Sequence, residues 1–387
     1  MAIAGCGSVS DSVRGYPLRA FVICLIAYTT AQMDLALFGY AVPAIRAEFG
    51  LTLSEVMAIV SAAFLFGGAL LVVLGWLADR VGRLPLFQFS LLGSSFLVAL
   101  ISIAPGVATL TALRGASIAV GGLSYPITGA IITEEMPARL RGLFMGSLQI
   151  GYPLGWALAS LWSMWLLTEY GWRQLFWVGL VSLPMVWVVR RYLREPPRSV
   201  AARSTEPPPR FSDLFATGVR ERAVTLFIAQ FLFVWAYAAS IFLFPSFLRE
   251  VRALDAFNFS LLIGAGNAIG VLGYVLAAWI GERVWTRRNT VVLWTLLGAC
   301  LFQVLVWVPT TFGQILFVYA LMSMFFYGSA AVKFAYLAEV FPTRIRALAM
   351  ACCGSLAVTL GSAAGPYTVS LAIESWGWHL GYATLVG

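Results

Sequence analysis

Long apolar runs, separated by short connectors rich in arginine, constrain this chain more than any other feature. Each run reaches the ~20 residues that a helix needs to cross the hydrocarbon core of a bilayer. A helix satisfies its own backbone in lipid, so helices are expected. The runs are continuous and lack period-two alternation, which argues against a β-barrel. Composition agrees: 60% of the 387 residues are hydrophobic, 11% are charged, and the mean hydropathy is +0.87. An ordinary soluble domain does not have these values.

The runs predict helices over Ala20–Val42, Ser54–Ala78, Leu84–Ile103, Val107–Ile132, Leu143–Leu166 and Gln174–Val189. Arg190–Arg222, with eight arginines and two Glu-Pro-Pro stretches, reads as a linker. Within it, Ser212-Asp213 is placed to cap a short amphipathic helix through Leu214, Phe215 and Val219, lying on the membrane surface. Further helices are predicted over Ala223–Leu248, Phe259–Ile280, Asn289–Val308, Phe312–Ala338 and Ala347–Ile373. A twelfth starts at Gly377 and, measured against the sixth, is expected to be truncated. The division is therefore a bundle over 1–189, a linker over 190–222 and a second bundle over 223–387. Met1 to Leu18 is mixed and polar and the first run is long, so a first spanning helix is expected rather than a signal peptide.

The second half repeats the first. Asp79-Arg80 in the first charged elbow has Glu282-Arg283 as its counterpart, 203 positions on. Glu134 to Arg141 matches Glu339 to Arg346 at a spacing of 205, and Tyr170-Gly171-Trp172-Arg173 matches Trp376-Gly377-Trp378-His379 at 206. Parallel halves related by an axis along the membrane normal are a transporter architecture, with the substrate site between them near mid-membrane.

The net charge of +8 comes from 24 arginines and one lysine against 17 acids. Nineteen of the basic residues fall in the N-terminal tail and alternate connectors, and four (Arg46, Arg173, Arg249 and Arg252) in the opposite ones. That asymmetry places both termini and the Arg80 connector in the cytoplasm. A nucleic-acid partner would need one contiguous basic patch with stacking aromatics in soluble segments, and the pattern does not provide it. Cys6, Cys24, Cys300, Cys352 and Cys353 show no metal-type spacing around the single histidine, His379. Adjacent Cys352 and Cys353 are expected to pack as small residues. There is no Walker loop and no nucleophile elbow, so no enzyme chemistry, metal or cofactor is expected.

Ionisable groups inside the runs cost about 2.5–3.5 kcal/mol to insert, which makes each a functional candidate. Asp34 stands nine residues before Pro43, taken as the outer end of helix one, hence ~13 Å deep. Arg114 lies at comparable depth in helix four, so the two are expected to face each other. Such a pair is a proton switch: a protonated Asp34 frees Arg114 to bind an anion. The alternatives are a static buried pair and an Arg114 that snorkels outward. Lys333, the only lysine, either neutralises an anionic substrate or snorkels to the cytoplasm. Trp235, Tyr237, Gln149, Asn267 and Tyr327 are further substrate contacts, or simply bonds between helices.

Gly75-Trp76-Leu77-Ala78-Asp79-Arg80-Val81-Gly82-Arg83 resembles the signature loop of the major facilitator superfamily of secondary transporters. The resemblance implies an all-α membrane fold of two pseudo-symmetric six-helix bundles. It also implies a cytoplasmic gate in which Asp79 meets the start of helix eleven near Ala347 and Glu282 meets helix five near Gly142. Arg80, Gly82, Arg83, Glu134, Arg139, Arg141, Arg283, Glu339, Arg344 and Arg346 would complete that network. The alternative role for these arginines is to fix topology against anionic lipid.

The run from Arg114 through Gly122, Pro126, Glu134, Pro137 and Gly142, then Tyr170 to Arg173 and Glu195 to Arg198, resembles the metabolite/proton symporters. Aromatic-acid and sialate/lactate symporters are the most similar in pattern. Asp34, followed by Gly39 and Pro43, matches the second acid of the D-G-x-D pattern of the aromatic-acid group. Ala31 replaces the first acid, and Thr359 stands where that group often carries arginine. The resemblance implies proton symport of a small organic anion by a monomer in the bacterial inner membrane. An efflux antiporter or facilitator is the rival within transport, and a non-transporting sensor the rival outside it.

Overall fold

The computed structural model describes residues 15–81, 83–137, 140–194, 218–341 and 345–386. Among them every regular element is a helix. The first half comprises α1 Tyr16–Phe49, α2 Leu53–Val81, α3 Arg83–Ile101, α4 Val107–Gly122, α5 Ser124–Glu135, α6 Arg141–Leu148 and α7 Gly151–Glu169. It ends with α8 Trp172–Leu175, a 3₁₀ stretch over Phe176–Ser182 and α9 Leu183–Tyr192. The second half comprises α10 Arg220–Glu250, α11 Ala256–Arg283, α12 Arg287–Trp307 and α13 Phe312–Val340. It closes with α14 Arg346–Ala349, a π-helical stretch over Met350–Leu356 and α15 Ala357–Val386.

Ten helices among the described residues are long and apolar enough to cross a membrane. The expected fifth span is not among them: it is interrupted at Gln149–Ile150, and α7 is rich in Gly, Ser and Trp. The fourth span is likewise divided at Leu123, just ahead of Pro126, and the sixth passes through the 3₁₀ stretch before Pro184. Pro43 does not end the first helix, which continues to Phe49. Ala41, Val42 and Ile45 are fully buried there, and their packing outweighs the one backbone bond that proline removes. Asp34 therefore lies 15 residues, ~22 Å, from the end of its helix rather than ~13 Å. Pro245 is carried inside α10 in the same way. The amphipathic helix expected at Ser212 and the Cys6 tail lie outside the described residues.

Helix starts in the second half follow ordinary chemistry. The side chains of Asp255, Thr286 and Thr311 each accept from the backbone N–H three residues on, and Thr311 with Gln314 forms a capping box.

The halves pack in matching fashion: α1 against α7 and α2 against α4 in the first, α10 against α15 and α11 against α13 in the second. Lipid offers no hydrophobic drive to pair helices, so small residues decide how closely they approach. At Gly365 a Cβ would overlap the Trp235 carbonyl, so α15 and α10 run backbone to backbone there. Across the halves, α7 meets α11 and α2 meets α15.

Tyr16, Tyr192 and Arg220 lie on one side, hereafter the linker side; Phe49, Glu250 and Gly377 lie on the distal side. One buried apolar cluster, including Phe38, Trp156, Phe242 and Phe247, is shared by both halves toward the distal side. Toward the linker side each half has clusters of its own, around Phe87 and Ile131 in the first and around Phe341 and Cys353 in the second.

Gly171 (φ 85°, ψ 177°) and Gly377 (φ 81°, ψ 166°) adopt one conformation at matched positions of the repeat. Gly377 breaks α15, which is where the twelfth helix was expected to start. This backbone region belongs essentially to glycine, and a side chain there costs of order 1–3 kcal/mol. Gly171→Ala and Gly377→Ala are each expected to lower the unfolding temperature of the purified protein. Gly146→Ala, in helical backbone with nothing within 4 Å of the added carbon, is not. Thermal unfolding of the three variants in one detergent checks this.

Candidate functional site

A cavity of about 170 Å³ opens between α1, α2, α3, α4 and the start of α15. Gln32, Asp34, Phe64, Ser94, Arg114 and Thr359 are among its lining residues. Asp34 is 3% exposed, and neither carboxylate oxygen accepts a hydrogen bond. The Ser182 hydroxyl approaches it without reaching hydrogen-bond geometry and is itself unpaired. Gln32 Oε1 is a second unpaired acceptor on the same wall.

Arg114, 2% exposed, reaches α1 as expected, but not through the Asp34 carboxylate. Its Nη2 donates to the Leu35 carbonyl at 2.6 Å and its Nη1 to the Asp34 carbonyl at 3.4 Å. The guanidinium also lies 4.8 Å from the centre of the Phe38 ring. The expected pair is thus two neighbours on one cavity wall without a direct ion pair. A helical carbonyl has a spare lone pair, and the guanidinium fork takes up two of them along one turn. This leaves the carboxylate open to the cavity. Burying either charge is expensive, and a cavity that keeps them apart but close is suited to a proton and an anion.

The second cluster is aromatic and spans the halves. Tyr152 of α7 lies 6.0 Å from Tyr237 of α10 and 6.1 Å from Tyr327 of α13, ring centre to ring centre. Tyr237 stacks on Phe233 at 6.1 Å, and its hydroxyl is buried and unpaired. Tyr327 donates to the side-chain oxygen of Asn267, whose amide donates to the Ile263 carbonyl at 2.7 Å. Trp235 donates to Thr368 at 2.9 Å, a bond inside its own half. Gln149 donates to Tyr125 at 3.2 Å and keeps an unpaired oxygen. The Lys333 ammonium sits over the Phe233 ring, 2.8 Å from its centre, and does not extend to the linker-side surface.

Tyr152, Phe233 and Gln32 were not read as site residues from the sequence. Tyr152 follows Gln149 by three and Phe233 precedes Tyr237 by four, so helical spacing from those candidates points to both.

The expected gate is only partly within reach. Gly82, Arg139 and Arg344, and the side chains of Asp79, Arg80, Glu282, Glu339 and Arg346, lie outside the described residues. Arg83 pairs with Glu134, and Arg141 Nε donates to the Met136 carbonyl at 3.1 Å; both contacts stay inside the first half. Arg283 is exposed.

The family model described as Major Facilitator Superfamily matches residues 24–290. The chain belongs to the Major Facilitator Superfamily. It is accordingly a multi-pass membrane transporter and not an enzyme. It is 26% identical to the "Cis,cis-muconate transport protein" of Acinetobacter baylyi over 387 residues, 95% of this chain and 90% of the relative. The "Gentisate transporter" of Corynebacterium glutamicum is 25% identical, over 95% of this chain and 83% of its own. In fold, the chain is similar to a bacterial homologue of the human lysosomal transporter Spinster, solved inward-facing and unoccupied. The TM-score is 0.76 at 16% identity, covering 94% of this chain and 84% of that one.

Proposed function

We propose that this transporter carries a small organic anion, a monocarboxylate or aromatic acid, together with protons by alternating access. The buried Asp34 carboxylate, unpaired beside Arg114 in one cavity, carries the proposal. The relative named for gentisate, an aromatic acid, supports the substrate class, and the one named for muconate, an open-chain dicarboxylate, supports a small organic anion more broadly. In this reading Asp34 takes the proton and Arg114 faces the substrate carboxylate. The bundles over 1–189 and 223–387 rock about the cavity, joined by the 190–222 linker. Tyr237 and Tyr327, with Tyr152 opposite, form an apolar wall for the body of the acid. Asn267 braces Tyr327, and Gln149, Trp235 and Asn267 are further contacts for the substrate. Asp79 and Glu282, with the arginines around them, form the gate. The membrane is the bacterial inner membrane, with the N-terminus and the linker in the cytoplasm, and one chain is the working unit.

The test uses proteoliposomes that enclose a pH-sensitive dye. Gentisate, muconate, benzoate, lactate and glucose are added in turn under an imposed pH gradient. Proton entry is expected with the acids and not with glucose. Acid movement without proton movement would replace symport with facilitated diffusion.

Lys333→Met tests the second cation. It removes the charge over Phe233 and keeps most of the unbranched side chain, and it is expected to raise the KM for the transported acid about fivefold or more. An unchanged KM would assign Lys333 to packing.

A further inference from the structure

The distal ends of the two halves are near-copies, and the places where they differ tie the halves together. In the first half, Glu48 accepts from Trp172 Nε1 at 2.6 Å and from Arg173 Nη2 at 2.7 Å. Arg173 also donates to the carbonyls of Ser102 and Ala104, at 3.0 Å each, so this corner closes on itself. In the second half Glu250 stands 202 positions after Glu48, and Trp378 stands 206 after Trp172. Trp378 Nε1 donates to Glu250 Oε2 at 3.1 Å, as in the first copy.

The counterpart of Arg173 is His379, which lies instead against Trp307, at 5.3 Å between ring centres. Arg252 takes over the carbonyl contact, donating to Val306 at 2.9 Å. Glu250 Oε1 is therefore left for another cation, and Arg46 of the first half pairs with it.

A second contact joins the same two faces. The Glu374 carboxylate, on α15 just before Gly377, accepts from the Ser54 backbone N–H at 2.8 Å. Ser54 lies in the first turn of α2, where amides have no partner in the helix and the helix dipole favours a negative charge.

We propose that Glu250 with Arg46, and Glu374 with the Ser54 amide, form a latch that holds the distal side closed and releases once in each transport cycle. Its role in transport rests on the alternating-access reading above. The latch itself is a property of the two faces. Both links are solvent-exposed, so each contributes modestly, and removing both is expected to shift the closed-to-open ratio about three- to thirtyfold.

The experiment places spin labels at Glu169→Cys and Thr310→Cys, exposed positions on the distal side of the two halves, in the full chain with its native cysteines replaced. Distance distributions are recorded in nanodiscs. Glu250→Gln and Glu374→Gln are each expected to increase the long-distance population, and the double variant more than either. Arg46→Glu combined with Glu250→Arg is expected to restore the wild-type distribution. Glu48→Gln, which breaks the corner closed within one half, is expected to leave it unchanged.

Unchanged distributions in both Gln variants would overturn the latch. So would an opening by Glu48→Gln equal to that by Glu250→Gln, because disturbance of any distal corner would then suffice. Wild-type proton-coupled uptake is measured on the same preparations. Its absence would remove the symport reading and leave the distance result standing.

Discussion

Asp34→Asn is expected to abolish accumulation of the acid against its gradient while sparing exchange of acid for acid. The carboxylate is 3% exposed and accepts no hydrogen bond, so among the described residues Arg114 is the nearby cation that compensates its charge, together with whatever enters the cavity. Moving such a charge between the cavity and a closed, apolar surrounding costs a few kcal/mol, about 2.5–3.5 on insertion scales. Protonation removes that cost. A conformational change that closes the cavity then proceeds with the proton aboard and is slow without it. Asparagine has nearly the shape of the protonated acid but never releases a proton. Uptake driven by a pH gradient should fall about 10- to 100-fold, the range of ordinary coupling energies, and substrate-dependent proton entry should vanish with it. Counterflow of labelled against unlabelled acid, which moves no net proton, should stay within a few-fold of wild type. Asp34→Glu should restore part of the coupling. Proton entry equal in wild type and Asp34→Asn would remove Asp34 as the carrier.

Arg114→Met should act on binding. The guanidinium is held to α1 by the Leu35 and Asp34 carbonyls, which keeps its remaining donors at the cavity wall that holds the carboxylate. An anion there gains a charge-assisted contact of about 2–3 kcal/mol, so its loss should raise the KM about 30- to 150-fold. Arg114→Lys should recover only part of this, because an ammonium lacks the planar fork that serves two carbonyls and still presents donors to a third group. The helical carbonyls keep their partners along α1, so the fold is expected to survive, and a monodisperse peak in size-exclusion chromatography is the control. A KM unchanged in Arg114→Met would make the arginine a purely structural strap between α1 and α4.

Much of this architecture was legible because lipid leaves a chain so few choices. Run length marked the spans, arginine marked the connectors, and the matched elbows exposed the duplication. Asp34 and Arg114 stood out because a charge inside an apolar run has no routine explanation. The misses concern geometry that packing decides. Pro43 looked like a helix end, yet the buried residues around it carry α1 six residues further. The partner of Arg114 could not be read either, since the Asp34 carboxylate and the main-chain carbonyls of Asp34 and Leu35 lie within one helical turn and look alike at the resolution of helix depth. Arg46 was placed in a connector of the first half, and Glu250, in the second, was not singled out. Only the approach of the distal faces brings them together.

The altered helical turns in the fifth and eleventh spans sit at matched places of the duplication. In the first half the chain tightens, with Gln149 and Ile150 donating three residues back, to Gly146 and Ser147, at 3.2 Å each. In the second half it loosens into the π stretch over Met350–Leu356. A tight turn spends fewer residues than a wide one. The repeat spacing records the difference, since it is 205 at Arg141 and Arg346 but 206 at Gly155 and Gly361. The two copies thus differ by a one-residue indel, absorbed by the helix itself rather than by a loop. Beyond it, a residue must be matched with the 206th after it and not the 205th. A slip of one turns a helical position by about 100°. Thr359, which lines the cavity, thus has Pro153 and not Leu154 as its counterpart in the first half, and a slip of one would compare it with a residue on another face of the helix.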